Sequence, residues 1–199
     1  GANGPIKNVR IEDLRFDQSP DSNTTCKIFA WNAEVAQFVV YFPDAFNVVV
    51  NEVEFDPCSG VNTVWLGGRN AVVSNCYFRF ARGRSEKGAD YDNSAVYFEC
   101  RDHKAFGNTF YSEYSQRAYA CIETHNGSST IFGNTSQGYR TGVNIVTEYT
   151  GTSKGSPHRD RVSNDINVYG NTFSGACQAI MLWPGTGKTL SNVNISSNT

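Results

Sequence analysis

The sequence predicts an all-β chain coiled as a parallel β-helix, and three observations carry that prediction. The first is composition. The 199 residues include 27 Val and Ile against 5 Leu and Met, and 20 Asn, 18 Gly and 18 Ser. β-Branched side chains suit a pleated strand, Leu and Met suit a helix, and Asn, Gly and Ser mark turns. The second is a phrase that recurs seven times: VRIEDLRF (9–16), VVVNEVEF (48–55), AVVSNCYF (71–78), HKAFGNTF (103–110), STIFGNTS (129–136), INVYGNTF (166–173) and the shortened VNISSNT (193–199). The third is a period-2 strand phrase between the copies: FVVYF (38–42), NTVWLG (62–67), SAVYFE (94–99), YACIET (119–124), NIVTEY (144–149) and QAIMLW (178–183).

The elements follow in order along each repeat. Aligned copies place Ile11, Val50, Val73, Ala105, Ile131, Val168 and Ile195 in one apolar column. Phe16, Phe55, Phe78, Phe110, Ser136 and Phe173 form a second. Leu14, Val53, Cys76, Asn108, Asn134, Asn171 and Asn198 form a third, at gaps of 39, 23, 32, 26, 37 and 27 residues. Fixed columns in units of irregular length are what a solenoid of stacked rungs requires. Inward positions repeat at the strand spacing of ~4.8 Å, and turns lengthen freely. A turn Asn tolerates a left-handed backbone, and its amide can bond the Asn above and below. A β-sandwich would explain alternation but not one residue type recurring beside one apolar column. About three short strands per unit and about seven rungs are expected, in one domain over residues 1–199. No capping helix is legible at either end, which predicts a fragment of a longer polypeptide.

The units 105–110, 131–136 and 168–173, with their F/Y-G-N-T cores, resemble right-handed parallel β-helices of the pectate-lyase-like superfamily. That group contains polysaccharide lyases, hydrolases, epimerases and bacteriophage tail spikes. The resemblance covers essentially the whole chain at the level of fold. It implies a tail spike or appendage fragment that grips or cleaves bacterial surface polysaccharide or teichoic acid, as a homotrimer, in the virion or outside the cell. The catalytic signatures of pectin-active members, NTD…DD…HG…RxK and RxPxxR, do not occur in this sequence.

Charge narrows the function classes. With 17 basic and 19 acidic residues, the chain lacks the basic surplus of a nucleic-acid binder. No apolar run approaches the ~18–20 residues of a membrane-spanning helix, so neither nucleic acid nor membrane is expected as a partner. Cys26, Cys58, Cys76, Cys100, Cys121 and Cys177 show no zinc spacing. They read as structural thiols or as one or more disulfides. The sequon Asn134-Thr135-Ser136 places its Asn in the inward stack, where a glycan does not fit.

A packed interior leaves function to an outer face and its loops. With Phe98 and Ile122 inward, Glu99 and Glu123 are expected on adjacent rungs at the strand exits, with Glu148 on the next. Stacked carboxylates repel, which keeps one protonated as a general acid beside an ionised partner. Glycoside hydrolysis uses two carboxyls roughly 5–5.5 Å apart for retention or 6.5–9.5 Å for inversion. The competing reading is solvated acids paired with Arg101, Arg140 or Lys104. His125 reads as a base, a sugar ligand or an exposed turn histidine, and His103 as structural. Arg101 and Tyr97 are expected to contact substrate. His158, Arg159 and Arg161 lie in the polar loop 150–164, which reads either as an arm over the carboxylate face, binding an anionic sugar or phosphate, or as plain surface. No cofactor is expected, although Asp90, Tyr91 and Asp92 in the loop 79–93 could hold calcium without the spacing of an EF-hand. Tyr97, Tyr111, Tyr114, Tyr119, Tyr139 and Tyr149 exceed what the core columns use. They read as sugar-stacking rings or as a subunit interface. A non-catalytic adhesin or shaft, and a secreted lyase or epimerase, are the alternatives to a hydrolase.

Overall fold

A computed structural model describes residues 6–16, 39–58, 62–80, 94–99, 101–112, 119–125, 127–147, 163–185 and 189–199. Among these the regular elements are all β-strands, and every ladder between them is parallel. The first rung holds β1 (Ile6–Glu12) and β2 (Arg15–Phe16), and the second β3 (Val40–Asn51) and β4 (Glu54–Cys58). Four three-stranded rungs follow. They are β5 (Asn62–Arg69), β6 (Val72–Ser74) and β7 (Tyr77–Phe80); β8 (Ser94–Glu99), β9 (His103–Phe106) and β10 (Thr109–Ser112); β11 (Ala120–His125), β12 (Ser129–Phe132) and β13 (Thr135–Gln137); and β14 (Thr141–Val146), β15 (Ser163–Tyr169) and β16 (Thr172–Ser174). The seventh rung holds β17 (Gln178–Trp183) and β18 (Leu190–Ser196).

Stacking produces three faces. Face A runs β3–β5–β8–β11–β14–β17, face B β1–β3–β6–β9–β12–β15–β18 and face C β2–β4–β7–β10–β13–β16. The long β3 belongs to A and B together, and its register shifts between Phe42 and Ala45, where it turns the corner. The parallel β-helix read from the repeats is borne out.

The predicted columns coincide with the observed registers. Ile11, Val50, Val73, Ala105, Ile131, Val168 and Ile195 are ladder partners in that order. Phe16, Phe55, Phe78 and Phe110 stack with centroids 5.4, 4.7 and 5.0 Å apart. Ser136 interrupts this stack. The ring of Tyr139, fully buried, lies edge-on to Phe110 at 6.0 Å. Tyr139 is thus core rather than a spare surface aromatic. Gly142 is small for a related reason: a Cβ there would lie 2.4 Å from the Phe173 ring.

The Asn column forms an amide ladder. The Nδ2 of Asn108 donates to Asn134 Oδ1 at 2.9 Å, that of Asn134 to Asn171 at 2.9 Å and that of Asn171 to Asn198 at 2.8 Å. Each acceptor oxygen also takes the backbone N–H of the residue one rung before it, at 3.0 Å. The residue preceding this column is left-handed throughout, with φ from 53° to 65° at Asp13, Glu52, Asn75, Gly107, Gly133, Gly170 and Ser197. At Gly107 a Cβ would also meet Asn75 Oδ1 at 2.6 Å. The A-to-B corner holds a second left-handed column that the repeat reading missed: Asn8, Asn47, Asn70, Asp102, Asp165 and Asn192, with φ from 52° to 62°. These residues immediately precede the repeated phrase, so the signal was present in the sequence.

Cys76 and His103 are polar members of the core. Cys76 donates its thiol to the Ser74 carbonyl at 3.1 Å, and burial pushes its pKa up to about 11, so it is not a nucleophile. His103 is buried, accepts the Ala71 N–H on Nδ1 at 3.2 Å and donates from Nε2 to the Glu99 carbonyl at 2.9 Å. Burial lowers its pKa to about 4, against the opposing pull of the Glu99 carbonyl and Asp102. The unfolded chain, with its histidine near 6.5, takes up that proton first. Stability from this group is therefore present above pH ~6.5 and is lost as pH falls through the folded value. Melting temperature is expected to drop between pH 6.5 and 4. The drop is expected to be shallower in His103→Gln, and an unchanged pH profile in that variant would contradict this.

Candidate functional site

The candidate site lies on the outside of face A. On β8 and β11 the inward positions are Ala95, Val96 and Phe98, and Cys121, Ile122 and Thr124. Two consecutive inward residues at the corner leave Ser94, Tyr97 and Glu99 outward on β8 and Glu123 and His125 outward on β11. The outward direction expected for both acids therefore holds, but the register does not. Glu123 pairs with Tyr97 on one side and Asn144 on the other, while His125 pairs with Glu99 and Val146. The expected placement of Glu99 beside Glu123 is off by two residues. Val96, not Phe98, stands opposite Ile122. A two-residue slip preserves the face, because side chains alternate with a period of two.

This register builds a compact polar cluster. Glu123 Oε1 accepts from His125 Nε2 at 2.5 Å, and Glu123 Oε2 accepts from the Ser94 hydroxyl. The His125 ring stacks on Tyr97 with centroids 4.7 Å apart. The ring row continues from Tyr97 to Trp65 at 4.9 Å and from Trp65 to Tyr41 at 5.2 Å, edge-on. The expectation of exposed acids is corrected: Glu99 is 2% exposed, Glu123 3% and His125 5%. Tyr97 is buried as well, whereas Tyr41 is 48% exposed. Burial, and then the negative charge of Glu99, raise the Tyr41 hydroxyl above its ordinary pKa.

Chemically, the Glu123 carboxylate fixes the imidazole, holding the proton on Nε2, and the Tyr97 face fixes the ring plane. A carboxylate-oriented histidine is acid–base machinery. Ser94 bonds the carboxylate rather than the imidazole, so it orients Glu123 and is not poised as a nucleophile.

The structure thus gathers Tyr97, Glu99, Glu123 and His125. Arg101 lies exposed at the A-to-B turn, bridged to Arg69. Glu148, His158, Arg159, Arg161 and the calcium candidates Asp90, Tyr91 and Asp92 lie outside the described residues. Sequence reasoning missed Tyr41, Trp65, Ser94 and Asn144. Tyr41 and Trp65 occupy the same place in the strand phrase as Tyr97, which was the available signal. Nothing in the sequence marks Ser94 or Asn144. Among the described residues no group of three His, Cys, Asp or Glu is placed to hold a metal ion. No helix there is long and apolar enough to cross a membrane.

These features define a parallel β-helix whose outer face carries an acid–histidine cluster. No protein-family model matches the chain, and a search of curated proteins finds no match. Among solved structures, a mutant tailspike protein of E. coli bacteriophage HK620 is similar, with a TM-score of 0.64 and 19% identity. The match covers 99% of this chain and 39% of that one, so the chain spans about two fifths of the tailspike's length. The likeness is one of fold, and at that level it bears out the resemblance carried by the F/Y-G-N-T units.

Proposed function

We propose that the chain is the β-helical part of a phage tail spike or appendage, a virion component that engages bacterial surface polysaccharide or teichoic acid along face A and cleaves it. The observation that carries this reading is the ring row Tyr41–Trp65–Tyr97 leading to the Glu123–His125 pair. Aromatic rings suit a wet sugar groove. In the hydrolase form Glu99 and Glu123 share the acid and base roles, with Glu148 as the third carboxyl. Their offset, one rung and two residues, separates the two Cα atoms by roughly 8 Å. In a lyase or epimerase form, Tyr97 or His125 is the base and Arg101 neutralises a uronate. Assembly is homotrimeric.

The burial of Glu99, Glu123 and His125 favours a second reading, a non-catalytic adhesin or shaft, because a sugar reaches these groups only if the face opens. One assay separates the two. The protein is incubated with bacterial surface glycans and assayed for new reducing ends and for absorbance at 235 nm. Cleavage is expected, reduced ~100-fold or more in Glu99→Gln or Glu123→Gln. Binding without either product identifies the adhesin. Wild-type cleavage rates in Glu99→Gln, Glu123→Gln and Glu148→Gln alike would overturn the carboxylate roles.

A further inference from the structure

We infer that Asn144 is a ligand-binding residue of face A, whose side-chain carbonyl accepts a hydroxyl of a sugar held against Glu123. The inference rests on the glycan reading above, including the opening of face A that brings its buried groups within reach of a sugar, and adds a residue to it.

The chain pairs its other buried amides with care. Asn62 Oδ1 takes the Ser94 N–H at 3.1 Å, Asn108 Oδ1 takes the Cys76 N–H at 3.0 Å, and Asn134 and Asn171 do the same in the ladder. Asn144 departs from this pattern. Its side chain is 1% exposed, and its Oδ1 is buried with no hydrogen-bond partner. A buried acceptor without a donor is costly and calls for a cause.

Its place in the fold supplies one. Tyr41, Trp65, Tyr97, Glu123, Asn144 and Met181 are successive ladder partners in one outward column. At one strand spacing per rung the column runs about 24 Å along the axis. It passes from three rings to a carboxylate to a neutral acceptor. Both Glu123 oxygens already accept bonds, from Ser94 and His125. The adjacent acceptor is the one left to take a donor. A neutral amide oxygen beside the column's only carboxylate suits a hydroxyl, and a pyranose lying on the rings carries hydroxyls at its rim. A hard cation would want about six oxygens, which this pairing does not offer.

The test uses the whole chain and a panel of purified bacterial O-polysaccharides, capsules and teichoic acids. Dissociation constants and melting temperatures are measured for wild type, Asn144→Leu and Asn144→Ala. The expected result is a melting temperature equal to or above wild type in Asn144→Leu, because the lone acceptor is gone, with about tenfold weaker binding in both variants. Unchanged affinity in folded variants overturns the role of Asn144 while leaving the glycan reading standing. Loss of folding in both variants also overturns it, since the amide would then serve the fold. If wild type binds no member of the panel, the glycan reading and this inference fall together.

Discussion

Asn134→Ala is expected to lower the melting temperature by on the order of 10 °C. Asn134 sits inside the amide ladder, 1% exposed. Its Oδ1 accepts both the backbone N–H and the side-chain Nδ2 of Asn108, at 3.0 and 2.9 Å. Its Nδ2 donates to the Ala105 carbonyl at 3.0 Å and to Asn171 at 2.9 Å. Alanine leaves the Asn108 N–H buried without a partner and removes three further amide bonds, to Asn108 Nδ2, the Ala105 carbonyl and Asn171. At about 1–3 kcal/mol for the orphaned N–H and about 0.5–1 kcal/mol for each other bond, the cost is about 4 kcal/mol. For a domain of this size each kcal/mol shifts the midpoint by about 2–4 °C. Asn134→Asp should cost as much, because a carboxylate has no donor to offer Ala105. Asn8→Ala, at the exposed end of the corner ladder where Asn47 donates to it at 2.9 Å, should cost less than about 1 kcal/mol. Thermal unfolding followed by circular dichroism decides this. Equal midpoints for Asn134→Ala and Asn8→Ala would mean that the ladder decorates the coil rather than holding it.

Phe78→Ala is expected to destabilise by about 3–5 kcal/mol in urea unfolding. Phe78 is fully buried between Phe55, 4.7 Å away, and Phe110, 5.0 Å away, both stacked nearly parallel to it. Truncation removes the burial of one ring and both stacking partners at once. The rungs on either side are held apart by hydrogen-bonded ladders, so the gap cannot close by collapse, which places the cost high in the range. Phe78→Leu, which refills most of the volume, should lose only about 1.5 kcal/mol. Similar losses for the two variants would show that the column is loosely packed.

Both predictions concern positions that the sequence alone made visible. Inward residues stack on copies of themselves, so the register leaves a mark on residue type: Phe on Phe, Asn on Asn, Val on Ile. The departures carry information too. Ser136 broke the Phe column, and the structure answers with Tyr139. The outward face lacks this constraint. Glu99 and Glu123 close similar-looking phrases, SAVYFE and YACIET, yet sit two residues out of register. Alternation fixed the face they point to, but no repeated residue type fixed the rung-to-rung match. The partnership of Glu123 with Ser94, His125 and Asn144 therefore emerged only from the ladder. Burial of the face was equally illegible, since outward Glu and His ordinarily mean solvent.

We propose that this protein meets a glycan on face A, between Tyr41 and Asn144. The most direct measurement is a crystal structure with a bound oligosaccharide from a surface polysaccharide the protein retains. The sugar is expected along the column from Tyr41 to Asn144, stacked on Trp65 or Tyr97 and within hydrogen-bond reach of Glu123 and Asn144. An oligosaccharide seated instead on face C, or on the outward rings Phe106, Phe132 and Tyr169 of face B, would contradict it.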